Sequence, residues 1–265
     1  MKCKDKTIIL TGASGGLGHQ LALKLAQKGA KLALTGRDIK KLRQLKYEIK
    51  NNAGQCILIE ADISTEDGRK RIVNRTKENY GSIDILINNA GSSDLVLFDQ
   101  QSPTSIERIF QTNLIAPVLL TRQILPDMLD RGCGQIVNIG SGFGSIGFGC
   151  YTSYSASKFG LRGFSEALRR ELNNTGVNLT YIAPRGIRTA MNSKAFYAVA
   201  KRIGFKFDDA EKVAQLSINA IEKNKKDYVI GFPEKLFVRI NGLSPRQVDS
   251  GVEKQIRLLK HFLQS

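Results

Sequence analysis

Seven short runs of the chain are almost continuously apolar: Thr7–Thr11, Lys31–Thr35, Gln55–Glu60, Ile83–Asn88, Gly134–Ile139, Asn178–Ile182 and Asp227–Ile230. Runs of this length without alternation predict strands buried on both faces. Between them, apolar residues recur every three or four positions, as in Leu17, Leu21 and Leu25 or Phe164, Leu168 and Leu172. That is the period of a helix with one buried stripe, so each connection reads as a crossover helix. Strand and helix in strict alternation predict an α/β fold, a doubly wound parallel sheet of about seven strands with helices on both faces. Ser64 with Asp67 and Asp208 with Glu211 offer an N-cap oxygen followed by a carboxylate, and predict two helix starts. No repeat or linker interrupts the pattern, and 265 residues suit one domain over 1–265.

Charge changes the picture only in what it favours. Forty Lys and Arg against 24 Asp and Glu give a net charge of +16, which suits phosphorylated cofactors, anionic lipid or acidic proteins. The cations are spread along the chain and aromatic residues are few, so a nucleic-acid surface is not expected. Cys3, Cys56, Cys133 and Cys150 are far apart in sequence with no Cys-x-x-Cys pair, the usage of a reducing, cytoplasmic compartment. His19 and His261 are the only histidines, which gives no support to a metal site.

The first run ends in Thr11-Gly12-Ala13-Ser14-Gly15-Gly16-Leu17-Gly18 and passes directly into a helical pattern. Glycines there let the backbone turn tightly and approach a pyrophosphate, whose charge meets free N–H groups and the helix dipole. This Thr-Gly-x-x-x-Gly-x-Gly spacing resembles the short-chain dehydrogenase/reductase family. The resemblance extends to Asn88-Asn89-Ala90-Gly91 at the fourth strand and to Asp62 after the third. It implies a Rossmann-type fold over about Lys6 to Ile230, and a dinucleotide held by Gly12, Ser14, Gly16, Leu17, Gly18, Asp62, Ile63, Asn89, Ala90 and Gly91.

The second run ends in Gly36-Arg37-Asp38. Gly36 leaves space where an acidic side chain would bind a ribose, and Arg37 offers a fork to a 2′-phosphate, so NADP(H) is favoured over NAD(H). The alternative is that Arg37 is solvated and Asp38 takes the ribose. The resemblance adds Pro184, Ile187 and Thr189 after the sixth strand as cofactor contacts. It also shows a departure, because Arg185 stands where the family usually has glycine; Arg185 could bind an acidic substrate group or pack on the surface.

Tyr154 and Lys158 are four residues apart in a helical segment, which puts both on one face. Ser141 follows the fifth run, where the family places its serine, and Asn113 falls where the family keeps an asparagine that holds a relay water. The resemblance therefore implies a catalytic set of Asn113, Ser141, Tyr154 and Lys158, with Tyr154 exchanging the proton, Lys158 also holding the nicotinamide ribose, and Ser141 hydrogen-bonding the substrate oxygen. Tyr151 has no lysine four residues on, and is expected on the rim of the substrate pocket.

Segment 190–206 is expected to form a lid, with Phe196, Tyr197, Val199, Ile203 and Phe205 towards an apolar substrate. The tail, 232–265, predicts a helical extension in which Val252, Ile256, Leu259 and Leu263 share one face. Such a basic amphipathic element can lie on an anionic membrane, cover the active site or meet a second subunit. The expected activity is reduction of an apolar or lipid-like ketone or aldehyde, by a homodimer or homotetramer that is cytoplasmic or membrane-peripheral. The competing expectation is an NADP(H) sensor or scaffold without turnover; a nucleotide-sugar epimerase is disfavoured by length and glycine spacing.

Overall fold

The computed structural model describes residues 1–50, 54–188, 194–202 and 204–264. All seven apolar runs form strands: β1 (Thr7–Thr11), β2 (Lys31–Gly36), β3 (Gln55–Glu60), β4 (Ile85–Asn88), β5 (Gly134–Ile139), β6 (Val177–Ala183) and β7 (Asp227–Val229). They make one parallel sheet in the order β3-β2-β1-β4-β5-β6-β7. β4 begins two residues later than its apolar run, because the Thr7 amide donates to the Asp84 carboxylate at 2.9 Å.

Helices α1 (Gly16–Gln27), α2 (Ile39–Lys50), α3 (Glu66–Tyr80), α4 (Pro103–Phe110), α5 (Ala116–Asp130), α6 (Thr152–Glu171), α7 (Lys194–Arg202) and α8 (Ala210–Glu222) connect the strands. The buried stripes of α1, α2 and α8, such as Leu21, Leu45 and Ile218, cover one face of the sheet. Those of α3, α5 and α6, such as Ile72, Ile124 and Leu168, cover the other. The two predicted caps each move one residue along. Thr65 accepts from the Gly68 amide and Asp209 from the amides of Glu211 and Lys212, while the Asp208 carboxylate is held by Arg185.

Two features were not evident in the pattern. A π-helical turn, Gln111–Ile115, joins α4 to α5. The tail folds as two helices, α9 (Glu234–Leu243) and α10 (Pro245–Gln264), broken at Ser244 because a residue before proline avoids the helical region and proline offers no N–H. Leu259 is buried, and Val252, Ile256 and Leu263 pack with Phe143, Phe148, Cys150, Tyr151, Phe205 and Phe207 in a third apolar cluster. Among its three expected roles, the apolar face of α10 thus covers the cleft.

Candidate active site

The strand order reverses between β1 and β4, and a crevice opens outside their carboxyl ends, the usual binding place in such sheets. The cleft here has a volume of about 1220 Å³ and is lined by the glycine turn, the ends of β2, β4 and β5, and α9 and α10. Gly12 has φ +63°, and a Cβ there would lie 2.8 Å from the Ala90 Cα. A Cβ on Gly18 would lie 2.2 Å from the Gly12 carbonyl oxygen. The two glycines let the turn fold back on α1 and leave its outer side open to a ligand. Asn89 holds the turn, its Nδ2 donating to the carbonyls of Thr11 at 2.9 Å and Gly12 at 3.2 Å. Ser14, Gly16, Leu17, Asp62, Ile63, Ala90, Gly91, Pro184 and Ile187 also line the cleft. These residues fit a dinucleotide: a glycine-rich strand-to-helix turn for the pyrophosphate, and a carboxylate, Asp62, farther along the groove. Thr189 lies outside the described residues.

At the end of β2 the two alternatives separate. The Asp38 carboxylate accepts from the amides of Lys40 at 3.0 Å and Lys41 at 3.1 Å, which caps α2 and holds its pKa below the usual range. Asp38 is absent from the cleft lining, whereas Arg37 and Lys41 belong to it. Gly36 has Ser14 Oγ as the nearest atom to a built Cβ, at 3.4 Å. A side chain at this position would reach Ser14 and Leu42, and of the two nearby cations Lys41 is paired with Asp38 at 3.7 Å.

The four expected catalytic residues converge below this groove. Tyr154 and Lys158 stand in the first two turns of α6, with the Lys158 Nζ 5.9 Å from the Tyr154 ring centroid. Lys158 is 4% exposed and donates to the Ile139 carbonyl at 2.9 Å; burial lowers its pKa from 10.5 to about 8. Burial pushes the Tyr154 phenol up, and the Ser141 hydroxyl opposes this. Ser141 Oγ accepts from the Phe143 amide at 3.2 Å, so its own O–H is available to donate. Asn113 is fully buried. Its Oδ1 accepts from the Ser92 amide at 2.8 Å, while its Nδ2 donates to the Ser92 carbonyl at 2.8 Å and to Ser157 Oγ at 3.0 Å. Ser157 Oγ donates to the Tyr154 carbonyl at 2.7 Å. Asn113 therefore ties the loop after β4 to the second turn of α6, a link through Ser157 that sequence reasoning missed.

A second missed device lies behind Ser141. The Tyr181 ring, on β6, occupies the space beneath the turn: a Cβ on Gly140 would come within 2.2 Å of its Cζ, and one on Gly144 within 2.5 Å of its hydroxyl. The turn is also laced to the end of β6, by the Gly140 amide to Ile182 at 2.7 Å and the Gly142 amide to Pro184 at 2.9 Å. Ser141 is thus placed by packing as well as by its strand.

On the substrate side the walls are aromatic. Phe143 stacks on Phe148 at 4.7 Å and meets Tyr151 at 5.5 Å and Phe205 at 5.9 Å. Tyr151 lies 6.1 Å from the Tyr154 ring, on the wall of the cleft. Within the expected lid, Tyr197 packs edge-on to Phe207; Ile203 and the side chains of Phe196 and Val199 lie outside the described residues. Arg185, expected either to bind an acidic substrate group or to pack on the surface, lines the cleft with its charge already engaged. It grips Asp208 with Nε and Nη2 at 2.9 and 2.7 Å, and its Nη1 donates to Glu234 at 3.2 Å and to the Phe232 carbonyl at 3.3 Å. Two carboxylates neutralise it, and it straps the loop after β6 to the chain before α8 and to α9.

A sequence model of the short chain dehydrogenase family matches residues 6–199. The ketoacyl reductase HetN of a Nostoc species is 35% identical over 251 residues, covering 92% of this chain and 87% of that protein. Mouse dehydrogenase/reductase SDR family member 7B is 30% identical over 253 residues, covering 91% and 78%. Among solved structures, a short-chain dehydrogenase from Streptomyces avermitilis aligns over 96% of this chain and 98% of its own with a TM-score of 0.80 and 25% identity. A metagenomic short-chain oxidoreductase in complex with NADP aligns over 87% and 98%, with a TM-score of 0.73 and 26% identity. With the cleft, the glycine turn and the Ser141, Tyr154 and Lys158 grouping in place, the chain belongs to the short-chain dehydrogenase family, oxidoreductases that act on alcohol and carbonyl groups with a nicotinamide cofactor.

Proposed function

We propose that the protein is an NADP(H)-dependent reductase of an apolar, lipid-like ketone or aldehyde. The observation that carries the substrate class is the wall around Tyr154, made of Phe143, Phe148, Tyr151, Phe205 and Phe207. Such a surface holds an apolar body. For the cofactor, Arg37 beside Gly36 provides a fork for a 2′-phosphate, with Lys41 next to it in the lining, and the Asp38 carboxylate is engaged by Lys41 at 3.7 Å and by the amides that cap α2. NADP is bound by the metagenomic relative.

When bound, the nicotinamide supplies the hydride to the carbonyl carbon. This chain's residues manage the oxygen. Ser141 donates a hydrogen bond to it and steadies the charge that develops there. Tyr154 delivers the proton; its raised pKa keeps it protonated near neutrality, as a reduction requires. The Lys158 cation lowers the cost of the phenolate left behind, and Asn113, by fixing Ser92 and Ser157, holds the path along which that proton is restored. Leu17, Ile63, Asn89, Ala90, Gly91, Pro184, Ile187 and Thr189 bind the cofactor, and Tyr151 touches the substrate. In this reading the working protein is a homodimer or homotetramer.

The test is turnover of a panel of aliphatic and aromatic ketones and aldehydes with NADPH and with NADH. Tyr154→Phe should lose nearly all turnover yet keep the thermal shift on adding NADPH, which at about 100 times the dissociation constant is worth roughly 2.7 kcal/mol. A wild-type protein that binds NADPH but reduces none of the panel, with Tyr154→Phe indistinguishable from it, would make the protein a sensor instead.

A further inference from the structure

Helix α9 stands at the mouth of the cleft, where Pro233, Glu234 and Phe237 belong to the lining. Its outer side is bare. Phe232 is 74% exposed, Leu236 49% and Leu243 90%. Leu236, Ile240 and Leu243 share one helix face, because steps of four and seven residues return to nearly the same direction, and Phe232 is exposed just before the helix begins. Of the other exposed large apolar residues, Phe237 stands on the cleft side of the same helix and the rest stand on other elements.

The ridge is bordered by one sign of charge. Lys235, Arg239 and Arg246 are all exposed, while Glu234, the acid of the same stretch, is turned to Arg185. An apolar ridge flanked by cations matches the boundary of an anionic bilayer, where acyl chains take the large side chains and headgroup phosphates take the ammonium and guanidinium groups. The net charge of +16 adds long-range attraction to an anionic surface. No described helix is long and apolar enough to cross a membrane, so such contact is peripheral.

We propose that α9 docks the protein on an anionic lipid surface, with the mouth of the cleft turned to the membrane. This relocates the lipid-facing element from α10, whose apolar face is buried over the cleft, to the helix before it. An apolar substrate could then pass from bilayer to cleft without crossing water. The docking itself does not depend on the chemistry proposed for the cleft.

The experiment is co-sedimentation of the full chain with phosphatidylcholine vesicles made with and without phosphatidylglycerol, at low and high salt. Binding should require phosphatidylglycerol and weaken at high salt. Lys235→Glu with Arg239→Glu should lower the partition coefficient by at least about fivefold for each cation lost. Leu236→Asp with Leu243→Asp should lower it tenfold or more, without changing the melting temperature or the turnover of a small water-soluble ketone. Failure of the intact protein to bind either vesicle overturns the proposal, as does binding that the leucine pair leaves unchanged. A protein that binds no vesicle and whose particle size drops in the leucine variant would show that a second copy covers the ridge. If no carbonyl is reduced at all, the cleft reading fails while the vesicle result still decides the docking.

Discussion

Replacing Lys158 by methionine should inactivate the protein and stabilise it. Lys158 is 4% exposed, and burial brings its pKa from 10.5 to about 8. That displacement corresponds to about 3 kcal/mol by which the folded state disfavours the cation. The penalty is fully present below about pH 8, where folded and unfolded chains both carry the charge. Between about 8 and 10.5 the unfolded chain binds more protons than the folded one, so the penalty is relieved as pH rises and is gone above 10.5. Methionine removes the charge at similar length and gives up the hydrogen bond to Ile139, worth about 1 kcal/mol. The net expectation is a gain of roughly 2 kcal/mol at neutral pH, or about 5 °C in melting temperature for a chain of this size. Urea unfolding of both proteins without cofactor, at a series of pH values, reads it. The difference between the two isolates Lys158 from Cys3, whose raised pKa of about 11 works in the opposite sense on both. A Lys158→Met protein no more stable than the parent at neutral pH, or a difference that does not shrink towards pH 10.5, would refute the reasoning.

Three further outcomes follow from contacts described above. Gly140→Ala should cost about 3 kcal/mol or more, since its Cβ would lie 2.2 Å from two atoms of the buried Tyr181 ring, and should cut kcat by displacing Ser141. With Tyr181→Ala also present the loss should fall short of the sum by more than 1 kcal/mol in denaturant unfolding, and additivity would count against the interlock. Arg37→Ser should reduce the ratio of kcat/KM for NADPH over NADH by about tenfold or more, the worth of a charge-assisted hydrogen bond; an unchanged ratio would return the residue to solvent. Arg185→Met leaves Asp208 and Glu234 facing each other unneutralised and should raise KM for the carbonyl substrate severalfold with little change in kcat, measured by steady-state kinetics at saturating NADPH.

The strands and the glycine turn could be read from the chain because both depend on local pattern, apolar runs in one case and backbone freedom in the other. Tyr154, Lys158 and Ser141 were legible from spacing and strand position together with the family resemblance. What remained hidden depends on contacts between distant segments. Nothing near Tyr181 in sequence marks it as the partner of Gly140, 41 positions away, and Ser157 gains its link to Asn113 only when α6 meets the turn after α4. Arg185 could not be settled from sequence because its partners, Asp208 and Glu234, lie 23 and 49 residues downstream. The caps slipped by one residue because adjacent polar side chains compete for the same amides, and tertiary demands, such as that of Arg185 on Asp208, decide the winner.

The π-helical turn at Gln111–Ile115 fixes how much this region can change in length. It widens the path from α4 to α5 by one residue per turn relative to an α-helix, and the side chain it presents inward is Asn113. Deleting one residue between 111 and 115 would let the segment close into an unbroken α-helix with both flanks still facing as before, because the wide turn is what absorbs the surplus residue. Leu120 and Ile124 would stay in the core, and the loss would fall on the wide turn that carries Asn113 to Ser92 and Ser157. The surplus residue therefore serves the active site alone: the rod on either side keeps the direction the sheet requires, and the local widening is confined to the turn that holds Asn113.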